Sequence, residues 1–199
     1  QQMIWGTDDD LKIVRIDIDP EEHARLRRPD VGIVGDSAAV MARLREVLPG
    51  HNTRREPRAD EVRALRAESA SKHARLAPQL AYIEALRSEL PENGIYVEEL
   101  TQIGYVSRLA FPTYKPRTYI STGYQGTLGW GVAAAIGVKA ARPDAPVLSV
   151  CGDGGFMFNV QELSTAVRHN IGVVVVVFND GAFGNVMRIQ KQTYGNRTI

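Results

Sequence analysis

Two aspartates, Asp153 and Asp180, have the side-chain type and the spacing needed to bind one divalent cation together. Asp153 lies just past a strand predicted over residues 146–151, and Asp180 lies just past the next, over residues 173–178. The stretch between them accommodates one helix and one strand, which is the pattern of a βαβ crossover. Because such crossovers are right-handed and return the chain parallel, both carboxylates should emerge at the same edge of the sheet, where doubly wound sheets bind ligands.

Glycines on both sides of the first aspartate indicate that an anion approaches the main chain there. Gly152, Gly154 and Gly155 permit close contact between the backbone and a ligand. Asn159 and Glu162 have the spacing of a capping box, so we predict that Asn159 caps a helix. The start of that helix and the glycine amides would face a phosphate group.

The two carboxylates suit Mg²⁺ shared with a diphosphate, since Mg²⁺ usually completes its octahedron with phosphate oxygens and water. The competing interpretation is that Gly-Asp-Gly forms only a turn and that Asp180 only caps a helix. Gly-Asp-Gly alone favours the turn, but a second carboxylate at crossover spacing favours the metal site. The sequence therefore predicts a magnesium-diphosphate site.

The elements that must position this site alternate between helices and strands. A helix predicted from Pro78 carries an apolar stripe formed by Leu80, Ile83, Leu86 and Leu90. Further strands are predicted over residues 95–97 and 118–120, and helices around 103–111, 128–141 and 160–169. The valine run in residues 173–178 predicts a fully buried strand. Together they predict an α/β fold, a doubly wound parallel sheet with helices on both faces.

Residues 1–50 carry a shorter βαβα pattern. Strands are predicted at residues 13–18 and 31–34, and helices are predicted to begin after Asp19 and Asp36. Two short strands bury too little apolar surface to be stable alone, so we expect the end of a larger Rossmann-like α/β domain. A linker and connecting helix are predicted over residues 51–77, followed by a diphosphate-binding domain over 78–199.

Composition excludes several other classes of function. The net charge is +1, with 24 Lys and Arg against 23 Asp and Glu, so no overall field recruits nucleic acid or a membrane surface. The longest apolar run is too short to cross a bilayer, and a segment with Asp8, Asp9 and Asp10 does not fit a signal peptide. The four histidines do not have the spacing of zinc ligands. The single cysteine, Cys151, predicts a cytoplasmic protein in which this thiol is an inert core group.

The segment from Cys151 to Gly184 resembles the signature of thiamine-diphosphate-dependent enzymes, a Gly-Asp-Gly followed one crossover later by a pair of asparagines. The glycine-rich residues 121–131, continuing into Gly137, resemble the preceding stretch in the acetolactate synthase, pyruvate oxidase and benzoylformate decarboxylase group. The Ile-Asp-Ile-Asp-Pro at residues 16–20 resembles the end of that group's middle domain.

The resemblance implies roles for individual residues around the metal. Asp153 and Asp180 match the side-chain metal ligands, and Ala182 matches a residue whose main-chain carbonyl binds the metal. Gly154 and Gly155 match positions whose amides hold the diphosphate.

Other positions match contacts with the rest of thiamine diphosphate. Leu128 matches the apolar residue that wedges the cofactor into its bent conformation, and Gly126 matches the carbonyl that accepts from its aminopyrimidine. Asn185 falls where some members contact substrate. The remaining cofactor-contacting candidates are Gly152, Gly184, Thr101 and Gln102.

The sequence departs from the family pattern at Asp180, where the family has asparagine. A carboxylate still suits a hard cation, but it changes the charge balance with the diphosphate. In this family a glutamate from the N-terminal domain of a partner subunit activates the cofactor. We expect that domain to lie outside these residues, and the cofactor domain to be truncated at its C-terminus, so no catalytic residue is assigned within this chain.

The implied function is decarboxylation or carboligation of a 2-oxo acid by a thiamine-diphosphate- and Mg²⁺-dependent lyase or transferase that forms a homodimer or homotetramer. The isolated chain is expected to be inactive. The alternative is a noncatalytic cofactor-binding or assembly module.

Residues 129–134 also match a dinucleotide-binding fingerprint superficially. That fingerprint requires a tight turn from strand to helix, and too many residues separate this segment from the preceding strand.

Overall fold

The computed structural model describes residues 11–25, 27–52, 56–123 and 125–198. The predictions that fall on residues 1–10, on part of the linker (53–55) and on Tyr124 in the glycine-rich segment lie outside these ranges. The chain divides into two compact units, Gln1–Arg63 and Ala64–Ile199. In the described ranges, no helix combines the length and the apolar character that a membrane crossing requires.

The first unit contains the predicted pair of parallel strands. Strand β1 (Val14–Asp17) pairs with β2 (Val31–Val34), and a 3-10 turn, Pro20–Ala24, follows β1. Helix α1 (Ser37–Val47) begins where the Asp36 carboxylate accepts a hydrogen bond from the Ala39 amide at 2.9 Å. Helix α2 (Ala59–His73) begins in this unit, and its residues from Ala64 onward belong to the second unit.

The second unit is built on a four-stranded sheet. Its strands are β3 (Ile95–Glu98), β4 (Tyr119–Ser121), β5 (Val147–Gly152) and β6 (Val174–Phe178). They lie in the order β4-β3-β5-β6, and every neighbouring pair is parallel. All four carboxyl ends therefore meet at one edge of the sheet.

Helices cover both faces of this sheet, as predicted for a doubly wound fold. The helices of the unit beyond α2 are α3 (Ala77–Glu89), α4 (Gln102–Ala110), α5 (Trp130–Ala141), α6 (Asp153–Phe158), α7 (Glu162–Arg168) and α8 (Gly184–Thr193). Alternate strand residues point to opposite faces.

On one face α3 and α4 pack against β3 and β5, in a core formed by Ile83, Leu90, Tyr96, Ile103, Val106, Phe111, Leu148 and Val150. On the other, α5 and α7 bury Ile95, Val97, Ala135, Val147, Val132, Ile136, Cys151 and Ala166.

The prediction that the valine-rich strand is fully buried is wrong. Val174 is 61% exposed and Val177 is 38% exposed, because β6 lies at the edge of the sheet among the described strands. The valine run indicated a strand correctly, but apolar composition alone does not distinguish an edge position from a central one.

The predicted cap at Asn159 is also wrong. Helix α6 begins directly at Asp153, and Asn159 ends it, while α7 begins after Gln161 without a side-chain cap. The Asn159 side chain instead donates a hydrogen bond to the Gly129 carbonyl at 2.7 Å. The Asn159 side chain therefore bonds to a residue distant in sequence and does not cap the helix that follows it.

The core assignment predicts a stability difference between two valines. Val150→Ala should lower the free energy of unfolding by about 2 kcal/mol, because Val150 is fully buried in β5. Val174→Ala, the matched control in β6, should change it by less than about 0.5 kcal/mol. Urea unfolding followed by circular dichroism measures both, and equal losses would contradict the assignment.

Candidate functional site

The two aspartates lie at the same edge of the sheet. Gly152, the last residue of β5, is paired in register with Phe178, the last residue of β6. Asp153 therefore starts at the same level as the loop that follows β6. Its Oδ2 accepts a hydrogen bond from the Gly181 amide at 3.1 Å, which joins the two carboxylate-bearing segments directly.

The loop after β6 is shaped by hydrogen bonds within it. The Gly181 amide also lies 3.0 Å from the Asn179 side-chain oxygen, and Asp180 Oδ1 accepts from the Ala182 amide at 3.3 Å. The Ala182 carbonyl accepts from Gly184 at 2.9 Å, at the start of α8. The loop is thus a compact turn that meets Asp153 through the Gly181 amide.

A cavity of about 450 Å³ opens at this edge. All eleven residues predicted to contact the cofactor line it, namely Thr101, Gln102, Gly126, Leu128, Gly152, Asp153, Gly154, Gly155, Asp180, Ala182 and Gly184. Asn185, the candidate substrate contact, lines it as well. Residues from four separate segments of the second unit therefore line one cavity.

One wall of the cavity was missed by the sequence reasoning. Gln79 and Tyr82 of α3 line it. Gln79 Nε2 donates to Gln102 Oε1 at 3.2 Å, and the Tyr82 ring meets Phe178 edge-on at 5.2 Å between centroids. The available signal was their spacing of three residues, which places them on one helix face beside the apolar stripe.

The charged side chains that line the cavity are all acidic among the described residues. Of the described residues that line it, Asp153 and Asp180 are the charged ones, and none is lysine, arginine or histidine. A diphosphate entering this space meets main-chain amides and carboxylates, but no cationic side chain. A bound divalent cation would supply the missing positive charge.

The oxygen donors present suit such a cation. Carboxylate and carbonyl oxygens are hard ligands of the kind Mg²⁺ takes, and it normally keeps several positions for water and phosphate. Within the described residues, no group of three or more His, Cys, Asp or Glu side chains is arranged to hold a metal. The ligands predicted from the sequence, the Asp153 and Asp180 carboxylates and the Ala182 carbonyl, belong to residues that all line the cavity, and their joint binding of a cation stays a prediction.

Thr101 has a local structural role at the cavity wall. Its hydroxyl accepts hydrogen bonds from the amides of Ile103 at 3.0 Å and Gly104 at 3.4 Å, and it thereby caps α4.

Gly126 has φ of +62°, a left-handed conformation that favours glycine, and an added Cβ would lie 2.6 Å from Leu100. Both features fix the main chain where a ligand would meet it.

Two buried glutamates at the end of β3 also escaped the sequence reasoning. Glu98 and Glu99 are both fully buried. Glu98 Oε1 accepts from Arg108 Nε at 2.7 Å, and its Oε2 has no hydrogen-bond partner among the described residues. Glu99 accepts from the amides of Gly129 at 2.5 Å and Gly131 at 3.2 Å. The available signal was their position, since they end β3 as Asp153 follows β5.

The single cysteine is a core thiol, as predicted. Cys151 is fully buried at the end of β5, and its sulfur lies 3.3 Å from the Ser149 hydroxyl. Burial raises the pKa of Cys151 to about 12. A thiol in this state is unreactive at neutral pH.

Comparisons with known proteins identify a matching family and related sequences. Residues 101–199 match the family model for the thiamine pyrophosphate enzyme, C-terminal TPP binding domain. The chain is 35% identical over 178 residues to a probable 2-ketoarginine decarboxylase of Pseudomonas aeruginosa, covering 88% of this chain and 32% of the relative.

Acetolactate synthases give comparable matches. Identity is 34% over 196 residues to the large subunit of Corynebacterium glutamicum, covering 94% of this chain and 31% of that one. It is also 34% over 196 residues to the isozyme 3 large subunit of Escherichia coli, covering 93% and 34%. The chain thus spans about a third of the length of these curated relatives.

Glu98 predicts a pH dependence of stability. Burial raises the pKa of Glu98 above its ordinary value of 4.5, against the opposing effect of Arg108. The folded state therefore binds the proton of Glu98 more tightly than the unfolded state does. Protonated Glu98 stabilises the fold at low pH, and this stabilisation is lost as the pH rises above about 4.5.

Glu98→Gln should remove this dependence. Relative to the wild type, the variant should become progressively more stable as the pH rises above about 4.5, as measured by urea unfolding. A difference between the two proteins that stays constant with pH would show that Glu98 does not titrate in this way.

Gly155 predicts a steric effect on the cavity floor. A Cβ at Gly155 would overlap the buried Glu99 carboxylate, so Gly155→Ala should cost about 1–3 kcal/mol of unfolding free energy. Gly152→Ala is the control, because its Cβ would lie 3.8 Å from Thr101, in ordinary contact. It should be neutral or stabilise by up to about 1 kcal/mol. Thermal unfolding distinguishes them, and a neutral Gly155→Ala would contradict this packing.

Proposed function

Since the chain belongs, through residues 101–199, to the thiamine pyrophosphate enzyme family, we propose that it binds thiamine pyrophosphate (thiamine diphosphate) with Mg²⁺ in this cavity. We further propose that it supplies the diphosphate-binding part of an enzyme acting on a 2-oxo acid. The observation that carries the proposal is the convergence of all eleven candidate cofactor residues on one cavity of about 450 Å³.

The proposed metal site uses the carboxyl ends of β5 and β6. Asp153 and Asp180 would hold Mg²⁺ together with the Ala182 carbonyl, and the cation would offset the negative charge of the diphosphate. The amides of Gly154 and Gly155, in the first turn of α6, would bind the phosphate oxygens.

The proposed thiamine site uses the loop before α5. The Gly126 carbonyl would accept a hydrogen bond from the aminopyrimidine, and Leu128, which is half-buried at the cavity wall, would support the thiazolium ring. When bound, thiamine diphosphate supplies the carbanion stabilisation that decarboxylation and carboligation require. The chain's own contribution is to orient the cofactor and to balance its charge.

The substrate class follows from the relatives by analogy. One is named for decarboxylation of 2-ketoarginine, a 2-oxo acid, and others are named for synthesis of acetolactate. We propose the same class of lyase or transferase chemistry for the complete enzyme, acting in the cytoplasm.

The active assembly is proposed to be a homodimer or homotetramer. The second unit exposes large apolar side chains, with Leu109 63%, Met157 63% and Phe158 58% exposed, and such a surface is typical of a face that packs against another subunit. The family resemblance assigns the activating glutamate to a partner's N-terminal domain.

A noncatalytic cofactor-binding module is the second candidate for these 199 residues. The observation that favours it is that both acids lining the described cavity are assigned to the metal, while Glu98 and Glu99 are buried and held by Arg108 and by main-chain amides. Turnover of a 2-oxo acid by the isolated chain would exclude this candidate.

Calorimetric titration tests the proposed site. Thiamine diphosphate should bind in the presence of Mg²⁺ and fail to bind in EDTA, because the cavity has no cationic side chain among its described residues. Asp153→Ala should weaken binding roughly a hundredfold or more, since even the outer partners of metal ligands are worth up to about that factor.

Asp144→Ala is the matched control for this titration. Asp144 is an exposed aspartate paired with Arg142 at 3.2 Å and lies outside the cavity lining. Its replacement should leave the affinity unchanged. Equal binding with and without Mg²⁺, or by the Asp153→Ala variant, would overturn the proposed metal site.

A further inference from the structure

The N-terminus of α5 depends on a distant side chain for its hydrogen bonds. The first amides of a helix have no partners within the helix. Gly129, the N-cap residue just before α5, offers no side chain to cap it, and its φ of +85° is in the left-handed region. These amides need an acceptor from elsewhere in the fold.

Glu99 provides that acceptor from the end of β3. Its Oε1 accepts from the Gly129 amide at 2.5 Å and its Oε2 from the Gly131 amide at 3.2 Å, across 30 and 32 residues of sequence. The carboxylate is fully buried, where an isolated charge is costly. The two amides and the positive end of the α5 dipole stabilise it there.

The other side of the same peptide is held by Asn159. Its Nδ2 donates to the Gly129 carbonyl at 2.7 Å. Gly129 is thus bonded through its amide to β3 and through its carbonyl to the segment after α6. Leu128 and Gly126, which line the cavity, lie immediately before this fixed point.

Glu99 also contacts the diphosphate side of the cavity. Its carboxylate lies so close to Gly155 that a Cβ at that position would overlap it. One buried side chain therefore touches two segments beside the cofactor site: it accepts hydrogen bonds from Gly129 and Gly131 at the start of α5, and it lies against Gly155 in the first turn of α6.

We propose that Glu99 is a positioning residue that holds the loop before α5 in the conformation in which Gly126 and Leu128 meet the thiamine moiety. This role rests on the proposed binding of thiamine diphosphate in the cavity. Because the hydrogen bonds of Glu99 go to this loop, its loss affects recognition of the thiamine moiety more than that of the magnesium diphosphate.

The experiment compares two isosteric substitutions in adjacent residues. Glu99→Gln replaces one acceptor oxygen by an amide group, so one of the two buried glycine amides loses its partner. Glu98→Gln is the matched control, because Glu98 is equally buried but is paired with Arg108 and lies outside the cavity lining. Affinities for thiamine diphosphate and for inorganic pyrophosphate, each with Mg²⁺, are measured by calorimetry.

We expect Glu99→Gln to weaken thiamine diphosphate binding about tenfold or more. Pyrophosphate affinity should change by less than about threefold, and amide hydrogen exchange should accelerate at Gly129 and Gly131. Glu98→Gln should leave both affinities as in the wild type, and any change in exchange at Gly129 and Gly131 should be no larger than its change in global stability accounts for. Where Glu99→Gln does not fold, Glu99→Asp serves instead, because its shorter side chain keeps the charge but cannot reach both amides.

Two results overturn the inference while leaving the proposed function intact. One is unchanged thiamine diphosphate affinity in a folded Glu99 variant. The other is an equal loss of both affinities, which indicates general damage to the site. Failure of the wild-type chain to bind thiamine diphosphate with Mg²⁺ is a different outcome, because it overturns the proposed function and with it the role of Glu99.

Discussion

The parallel pairing of β5 with β3 and β6 is the constraint on which the candidate site depends. It brings the carboxyl ends of three neighbouring strands to the same edge of the sheet. The ends of β5 and β6 are level, with Gly152 opposite Phe178, whereas β3 ends at Glu98, opposite Val150. In an antiparallel arrangement adjacent strand ends would lie at opposite edges of the sheet. The hydrogen bond from Gly181 to Asp153 is a direct consequence of this register.

Three carboxylates at one sheet edge would repel each other without compensation, and the chain compensates them in two different ways. Glu99 is buried and accepts from main-chain amides at the positive end of a helix. Asp153 and Asp180 face the cavity, where they meet solvent or a ligand. The division separates a carboxylate that maintains the shape of the site from two that remain available to a cation.

Much of the second unit, and the placement of Asp153 and the Asp180 loop at one sheet edge, could be predicted from sequence, because strand and helix periodicity and the Gly-Asp-Gly spacing are local signals. Predictions failed where the deciding contact is distant. Nothing near Asn159 in the sequence indicates that its side chain bonds to Gly129. Likewise, the edge position of β6 depends on which strands pair with it, and the burial of Glu98 and Glu99 depends on helices that pack over them.

The reactivity of Cys151 can be used to measure how often the structure around it opens. It is the single thiol in the sequence, it is fully buried, and its sulfur would lie 2.8 Å from a Cβ at Gly131, beside the amides that Glu99 holds. Because Cys151 packs with Val132 and Ile136 of α5 and with Ala166 of α7, a thiol-specific reagent can reach it only when one of these helices separates from the sheet or the unit unfolds. The rate of its modification therefore measures how often this region opens, in the unmodified sequence and without an introduced label.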